Sequence, residues 1–400
     1  MKSKKLFLCI PAMNEYENIH SFIKSISNQK SDFSIQMIFC INQPEAWHYD
    51  TEKNNICQNN AKTADFLHSI DYLNITIIDK YSKGNGWVGK QEGVGWARKT
   101  AMDYANNIAD SKDIIFCMDV DTYYPPSYCD ETATNIINNP QTLGVAIPYY
   151  HPLPDDNKAA RAILRYEIYM RYYAINLSLI NSPYNFSALG SAIAIPVWAY
   201  RKVGGITPKK SGEDFYFIQK LVKSGVIQLS NPVKAFPAAR FSDRVFFGTG
   251  PAMIKGNNGD WSSYPIYHPK LFSAIKNLYS EFPHMYKGIY NEIIEKEFSN
   301  VFDEVTINKI RQNSTTEKQF IRQCHIKFDG LRILQYLKTA QKEITVSNEN
   351  ILQNFLFEFF ATESNHHKDA INKLNFNTSS IAELDDIRNL LCDLEEKTKK

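Results

Sequence analysis

The chain has 400 residues, 44% hydrophobic and 22% charged, with a formal net charge of +2 at pH 7. Such a composition describes a globular chain able to bury a sizeable core in one large domain or two. The near balance of charge argues against a dedicated nucleic-acid binder.

Seven cysteines are scattered without a C-x-x-C pair, three of them inside apolar runs, and read as buried reduced thiols. In "MKSKKLFLCIPAMNE" only five apolar residues precede Pro11, too few for a signal-peptide core. No stretch approaches the roughly 18 apolar residues of a spanning helix. The expectation is a cytoplasmic soluble protein, with peripheral membrane contact left open.

"KLFLCI" (5–10) reads as a strand, followed by a helix with Ile19, Phe22, Ile23 and Ile26 on one face. "IQMIFCI" (35–41) and "ITIID" (75–79) are further strands, with a helix over about 51–70 between them. "GVGWARKTAMDYANNIA" predicts a helix whose apolar face is Ala97, Ala101, Ala105 and Ile108. Ile114 to Cys117 form a fourth strand that stops at "MDVDTYYPP", where paired prolines oppose continuation. Apolar strands alternating with amphipathic helices predict an α/β fold with a mostly parallel sheet flanked by helices. Ligands bind outside the carboxyl ends of such strands. One rim therefore gathers Pro11, Asn14 and Glu15 after the first strand, Asn42 and Gln43 after the second, Asp79 after the third, and Asp119 and Asp121 after the fourth.

Beyond this, "LGVAIP" and "LGSAIAIP" read as strands and Ala159 to Leu179 as a helix rich in Tyr and Arg. "SGEDFYFIQKLVKSG" opens a helix with Phe215, Ile218, Leu221 and Val222 on its apolar face, Gly225 as its stop, and Glu213 and Asp214 at its N-terminal end. After about 270 strand signals fade. Phe320, Cys324, Phe328, Leu331 and Leu334 form one helical stripe, and Ser380 with Glu383 makes a capping box for the last helix. The expected division is an α/β domain over 1–268 and a C-terminal α-helical extension over 269–400.

Asp119 and Asp121, one residue apart at a strand end, can offer hard oxygen ligands to a divalent cation that also takes diphosphate oxygens. A strand-end turn capped by Asp121 is the alternative. Asp214 can act as a general base, or with Glu213 simply complement a helix N-terminus. "AARFSDRVFFGTGPAM" brings Arg240, Arg244 and a Gly-Thr-Gly turn, suited to phosphate oxygens; an Arg-Asp surface pair beside an ordinary loop is the alternative for either arginine alone. His268 offers a further metal ligand or a structural histidine. No G-x-G-x-x-G follows the first strand, and no G-K-[ST], G-x-S-x-G or H-E-x-x-H occurs.

Taken in order, "CIPAMNEYENI", "GKQEGVGWARKTAMDYA", "FCMDVDTYYPP" and "YRKVGGITPKKSGEDFYFIQKL" resemble the family 2 glycosyltransferases of the GT-A fold over about residues 5 to 225. The resemblance implies metal-dependent transfer of a sugar, with inversion, from a nucleotide donor to an acceptor hydroxyl of a glycan, a lipid-linked sugar or a small molecule. Mn²⁺ or Mg²⁺ is the implied cofactor. Pro11, Asn14 and Glu15 fall at the nucleoside pocket and Arg98 near the donor. Asp121 falls on a direct metal ligand, Asp119 on a residue nearer the ribose or sugar that shares the metal motif, and Asp214 on the catalytic base, where its neighbour Glu213 can orient the acceptor or the base. The chain departs from the family at "INQPEAW", where an acidic pair usually meets the nucleobase. Asn42 can instead hydrogen-bond a base edge, and a UDP-sugar is the family's first expectation. The alternatives are a non-catalytic nucleotide-sugar or glycan-binding protein on the same fold, or a nucleotidyltransferase. Whether the C-terminal helices form a homodimer, cover an acceptor groove or touch a membrane stays open.

Overall fold

The computed structural model describes residues 4–243, 248–289 and 292–399. The chain divides into two compact units, Met1–Tyr166 with Phe186–Trp261, and Glu167–Asn185 with Ser262–Lys400.

The first unit is mixed α/β. Its strands are β1 (Lys5–Ala12), β2 (Ser34–Asn42), β3 (Ile75–Lys80), β4 (Ile114–Cys117), β5 (Thr122–Tyr123), β6 (Val145–Ala146), β7 (Ile193–Pro196) and β8 (Phe236–Pro237). Six of them form one sheet in the order β3-β2-β1-β4-β7-β6, and β5 pairs with β8 in a separate ribbon. The β1–β2, β1–β4 and β2–β3 pairings are parallel, whereas β7 runs antiparallel to both β4 and β6. Leu6, Leu8, Ile10, Phe39, Ile114 and Phe116 are fully buried, as continuous apolar strands covered on both faces require.

The helices of this unit are α1 (Tyr16–Ser27), α2 (Asn54–His68), α3 (Val94–Ile108), α4 (Tyr128–Asn138), the start of α5 (Asn157–Leu179), α6 (Val197–Lys202), α7 (Glu213–Ser224) and α8 (Thr249–Asn257). Ile19, Phe22, Ile23 and Ile26 are buried on α1 as their spacing predicts. On α3 the alanines are buried, but Ile108 is exposed. It is the last residue of the helix, in a turn with no apolar cover, and Met102 fills the core position instead.

Residues 167–185 and the helices α9 (Pro269–Tyr286), α10 (Glu292–Glu297), α11 (Glu304–Gln312), α12 (Glu317–Lys327), α13 (Gly330–Ala340), α14 (Asn348–Phe359), α15 (Ala361–Ser364), α16 (Lys368–Asn372) and α17 (Ile381–Thr398) make up the second unit, which has no strand among its described residues. The single stripe expected from Phe320 to Leu334 is broken. Asp329 caps a new helix, its side chain accepting from Arg332 N–H, and this resets the phase so that Ile333 and Leu337 are buried in place of Leu331 and Leu334. The Ser380–Glu383 capping box is present at α17. Tyr169, Tyr172 and Tyr184 are core residues here, the Tyr172 hydroxyl donating to the Tyr267 carbonyl. His268 caps α9, accepting from Lys270 N–H at 3.2 Å, which is a structural role. A buried ionic cluster joins Glu167 and Arg171 of α5 to Arg388 and Glu395 of α17.

All seven cysteines are free thiols, and burial pushes those of Cys40 and Cys117 up to about 12. Among the described residues no helix is long and apolar enough to cross a membrane.

Candidate functional site

Strand order reverses at β1: successive strands run outward to β2 and β3 on one side, and β4 begins the other side. The crevice beyond the carboxyl ends of β1 and β4 is the topological switch point. Pairing between the two strands stops at Cys9 and Cys117, followed by one bond from Met118 N–H to the Cys9 carbonyl. Pro11 lies inside β1, two residues on, with its missing N–H on the side where β4 has already ended. The proline therefore forfeits no ladder bond. Asn14 takes a left-handed conformation, φ 58°, with its N–H donating to Asn60 Oδ1 at 2.8 Å, and Glu15 is buried at the start of α1.

On the β4 side the chain turns sharply. Thr122 N–H donates to the Asp119 carbonyl, and Asp119 N–H donates to the Tyr124 hydroxyl, which donates onward to the Ser191 carbonyl. Tyr124 is fully buried, so this relay satisfies its hydroxyl and pins the turn. In β5 the side chains alternate. Thr122 is buried and Tyr123 exposed, and Asp121, the residue before the strand, is partly exposed. Ala238 N–H, just past β8, donates to the Asp121 carbonyl at 3.0 Å, and Arg240, two residues on, reaches back to the same aspartate. Arg240 Nη2 lies 2.5 Å from Asp121 Oδ2 and 2.7 Å from Glu15 Oε1, bridging the two sides of the switch point. Burial opposes its charge, but the Asp121 and Glu15 carboxylates more than offset this and raise its pKa.

Arg98, on α3, is buried beneath this surface. Its Nε donates to Glu213 Oε1 at 3.1 Å, Nη1 to the Gly190 carbonyl at 2.9 Å, and Nη2 to Asp119 Oδ1 at 2.9 Å. A Cβ on Gly190 would stand 2.4 Å from Nη2, so the close approach requires glycine. Gly212, φ 72°, makes the left-handed step into α7 and sets Glu213 and Asp214 in its first turn. Glu213 points inward and is buried, whereas Asp214 is half-buried and accepts from Phe215 N–H at 2.7 Å. Burial, reinforced by the Glu213 charge, raises the Asp214 carboxyl to about 7. Arg98 opposes that rise and Asp119 adds to it.

The structure thus brings together Glu15, Asp119, Asp121, Glu213, Asp214 and Arg98, with Arg240 as an added member. It does not offer every expected residue to a ligand. Arg98 and Glu213, expected beside donor and acceptor, are spent on each other and on Asp119. Asn42 is buried, its amide donating to the Ala12 carbonyl and accepting from Trp87 Nε1, which leaves neither end of the amide turned to a base edge. Asp79 lies on β3 at the sheet edge, two strands from the crevice, and accepts from Tyr81 and Ser82 N–H and from Asn85, closing a turn. Glu45 of "INQPEAW" likewise accepts from Gly84 and Gly86 N–H. Arg244 lies outside the described residues. The bonds of Tyr124 to Ser191, Gly190 to Arg98 and Trp87 to Asn42 have no signal in the sequence, because these partners are distant along the chain.

Among the described residues no group of three or more His, Cys, Asp or Glu side chains forms a ready metal cage. Among the described residues the site holds five carboxylates, Glu15, Asp119, Asp121, Glu213 and Asp214, and two guanidiniums, Arg98 and Arg240. Asp121 and Asp119 suit a hard cation that takes one or two protein carboxylates and completes its shell with phosphate oxygens and water.

No protein-family profile matches the chain, and no curated protein sequence does. Among solved structures, it is similar to a mannosyltransferase from Pyrobaculum calidifontis in complex with GDP-Man and Mn2+, at 12% identity and a TM-score of 0.38 over 99% of this chain and 88% of that one. It is also similar to TarS from S. aureus, at 12% identity and a TM-score of 0.38 over 80% of this chain and 55% of that one.

Proposed function

We propose that this chain is an inverting GT-A glycosyltransferase, with 1–268 as the catalytic region and 269–400 as a helical appendage. It would move a sugar from a nucleoside-diphosphate donor, a UDP-sugar being the first to test, to an acceptor hydroxyl. The observation that supports this best is the gathering of Glu15, Asp119 and Asp121 at the switch point, with Asp214 close enough to feel the Asp119 charge.

A carboxyl held near neutrality is matched to general-base work at neutral pH. As the acceptor oxygen bonds to the anomeric carbon, the bond from that carbon to the diphosphate oxygen breaks and its electron pair leaves with the nucleoside diphosphate. The hydroxyl proton passes to the Asp214 carboxylate. Asp121, with Asp119, would hold Mn²⁺ or Mg²⁺, which supplies charge neutralisation to the departing diphosphate. Glu15 borders the donor space with Pro11 and Asn14, while Asn42 shapes it indirectly by bracing Ala12 and Trp87. Arg98 and Glu213 act as positioning residues, fixing Asp119 and the start of α7.

Calorimetric titration with a panel of nucleotide sugars, with and without Mn²⁺, tests this on the wild type and Asp121→Ala. One donor is expected to bind in a metal-dependent manner and to lose that dependence in the variant. Failure of every nucleotide sugar under both conditions would overturn the reading.

A further inference from the structure

Two carboxylates from opposite sides of the switch point converge on one nitrogen: Arg240 Nη2 lies 2.7 Å from Glu15 Oε1 and 2.5 Å from Asp121 Oδ2. Facing carboxylates repel each other, and a counter-charge between them offsets that repulsion. Here a side chain supplies it, at the place where the proposed function puts a cation. A guanidinium is weakly hydrated, and its fork of N–H donors suits phosphate oxygens as well as carboxylates.

Three features make this charge transferable. The Arg240 side chain is 32% exposed, so it has solvent space to turn into. Its Nε is buried and finds no acceptor among the described residues, so the present pose leaves a donor unused. The residue also stands in irregular chain three positions past a two-residue strand, with no helix or ladder fixing its backbone.

We infer that Arg240 is a stand-in cation that holds the Glu15–Asp121 pair against a divalent ion until a nucleoside diphosphate arrives, and then passes to the diphosphate oxygens, ending its own hold on Asp121. This rests on the transferase reading and adds an order of binding to it. The nucleotide-free site takes metal weakly, and metal and nucleotide enter together.

Mn²⁺ binding, followed by the electron paramagnetic resonance of the free ion, tests this in the wild type, Arg240→Gln and Arg240→Lys, each alone and with UDP or GDP. Without nucleotide, Arg240→Gln is expected to bind Mn²⁺ at least about tenfold more tightly than wild type, since a fixed positive charge beside the ion is removed. Arg240→Lys, which keeps the charge, is expected to stay weak. Adding Asp121→Asn to Arg240→Gln is expected to abolish the gain. With Mn²⁺ present, Arg240→Gln is expected to lose at least about tenfold in nucleotide affinity. Equal Mn²⁺ affinity of wild type and Arg240→Gln without nucleotide, alongside Mn²⁺ binding by wild type with nucleotide, would overturn the inference and leave the transferase reading standing. No Mn²⁺ binding by any variant with either nucleotide would overturn both. Thermal melts establish that each variant is folded, and Arg240→Met is a second charge-removing variant should Arg240→Gln not fold.

Discussion

Arg98 and Arg240 each bridge two carboxylates of one site, yet Arg98 shows 2% of its side chain to solvent and Arg240 shows 32%. Arg98 donates from all three nitrogens, to Glu213, Gly190 and Asp119. Arg240 divides one nitrogen between Glu15 and Asp121 and leaves its Nε unpaired among the described residues. Their supports differ in the same sense. Arg98 stands on a 15-residue helix packed against the sheet, and Arg240 follows a two-residue strand. One residue type therefore serves as a fixture on one side of the site and as an exchangeable charge on the other. Burial and backbone support decide which.

The largest expected effect is on the fixture. Arg98→Met would leave the Glu213 carboxylate buried without its counter-charge, and breaking a buried pair in this way typically costs about 3–5 kcal/mol. Asp119 is a third exposed and would rehydrate, adding little. Urea denaturation measures the loss. A cost below about 1 kcal/mol would break the comparison, placing Arg98 with ordinary surface pairs. Gly190→Ala tests the same fixture from outside. Its new methyl would force the guanidinium aside, for an expected cost of about 1–3 kcal/mol, and a crystal structure of the variant should show Nη2 moved from Asp119.

How much of this could be read in the sequence follows the same division. Local patterns carried the strands, the α1 face, the Ser380 cap and the placing of Asp119, Asp121 and Asp214 at element ends, because each depends on neighbours a few residues away. What Arg98 does depends on partners 21 and 115 residues away, and Arg240 meets Glu15 across 225 residues. No spacing rule reaches such pairs. Helical periodicity assigned Ile108 and Leu334 to the core, but it does not register that a helix has ended or that Asp329 has started a new one. The residue type of Arg240 suits phosphate oxygens, but its grip on Glu15 and Asp121 depends on the β5–β8 ribbon, whose strands lie far apart in the sequence.

The buried side of the site should also carry its pH dependence. Folded, Asp214 keeps its proton to about pH 7, whereas an unperturbed aspartate releases it near 3.8. Between these values the folded chain binds more protons than the unfolded one. The contribution of Asp214 to stability is thus fully present below about pH 4 and lost as pH rises to about 7. With allowance for solvent screening at a half-buried group, the change is roughly 1–2 kcal/mol. Asp214→Asn should flatten that part of the stability profile, and donor turnover by the wild type should rise with a midpoint near pH 7 as the base ionises. An unchanged stability profile in Asp214→Asn would assign the slope to another group.

The smallest expected effect is the most discriminating. Arg240→Met removes two charge-assisted contacts, but Glu15 keeps the bond from Asn18 Nδ2 at 2.6 Å, and Asp121 is 20% exposed and can recover water. The cost should be about 1 kcal/mol or less. Because the variant weakens the hold on the carboxylate pair, Mn²⁺ at ten times the variant's dissociation constant should restore about 1.4 kcal/mol by linkage, visible as a larger rise in Tm than in the wild type, which at tenfold weaker affinity gains about 0.4 kcal/mol. A cost equal to that of Arg98→Met, with no response to Mn²⁺, would make Arg240 a second fixture, and the contrast between an exposed and a buried guanidinium would then carry no functional meaning.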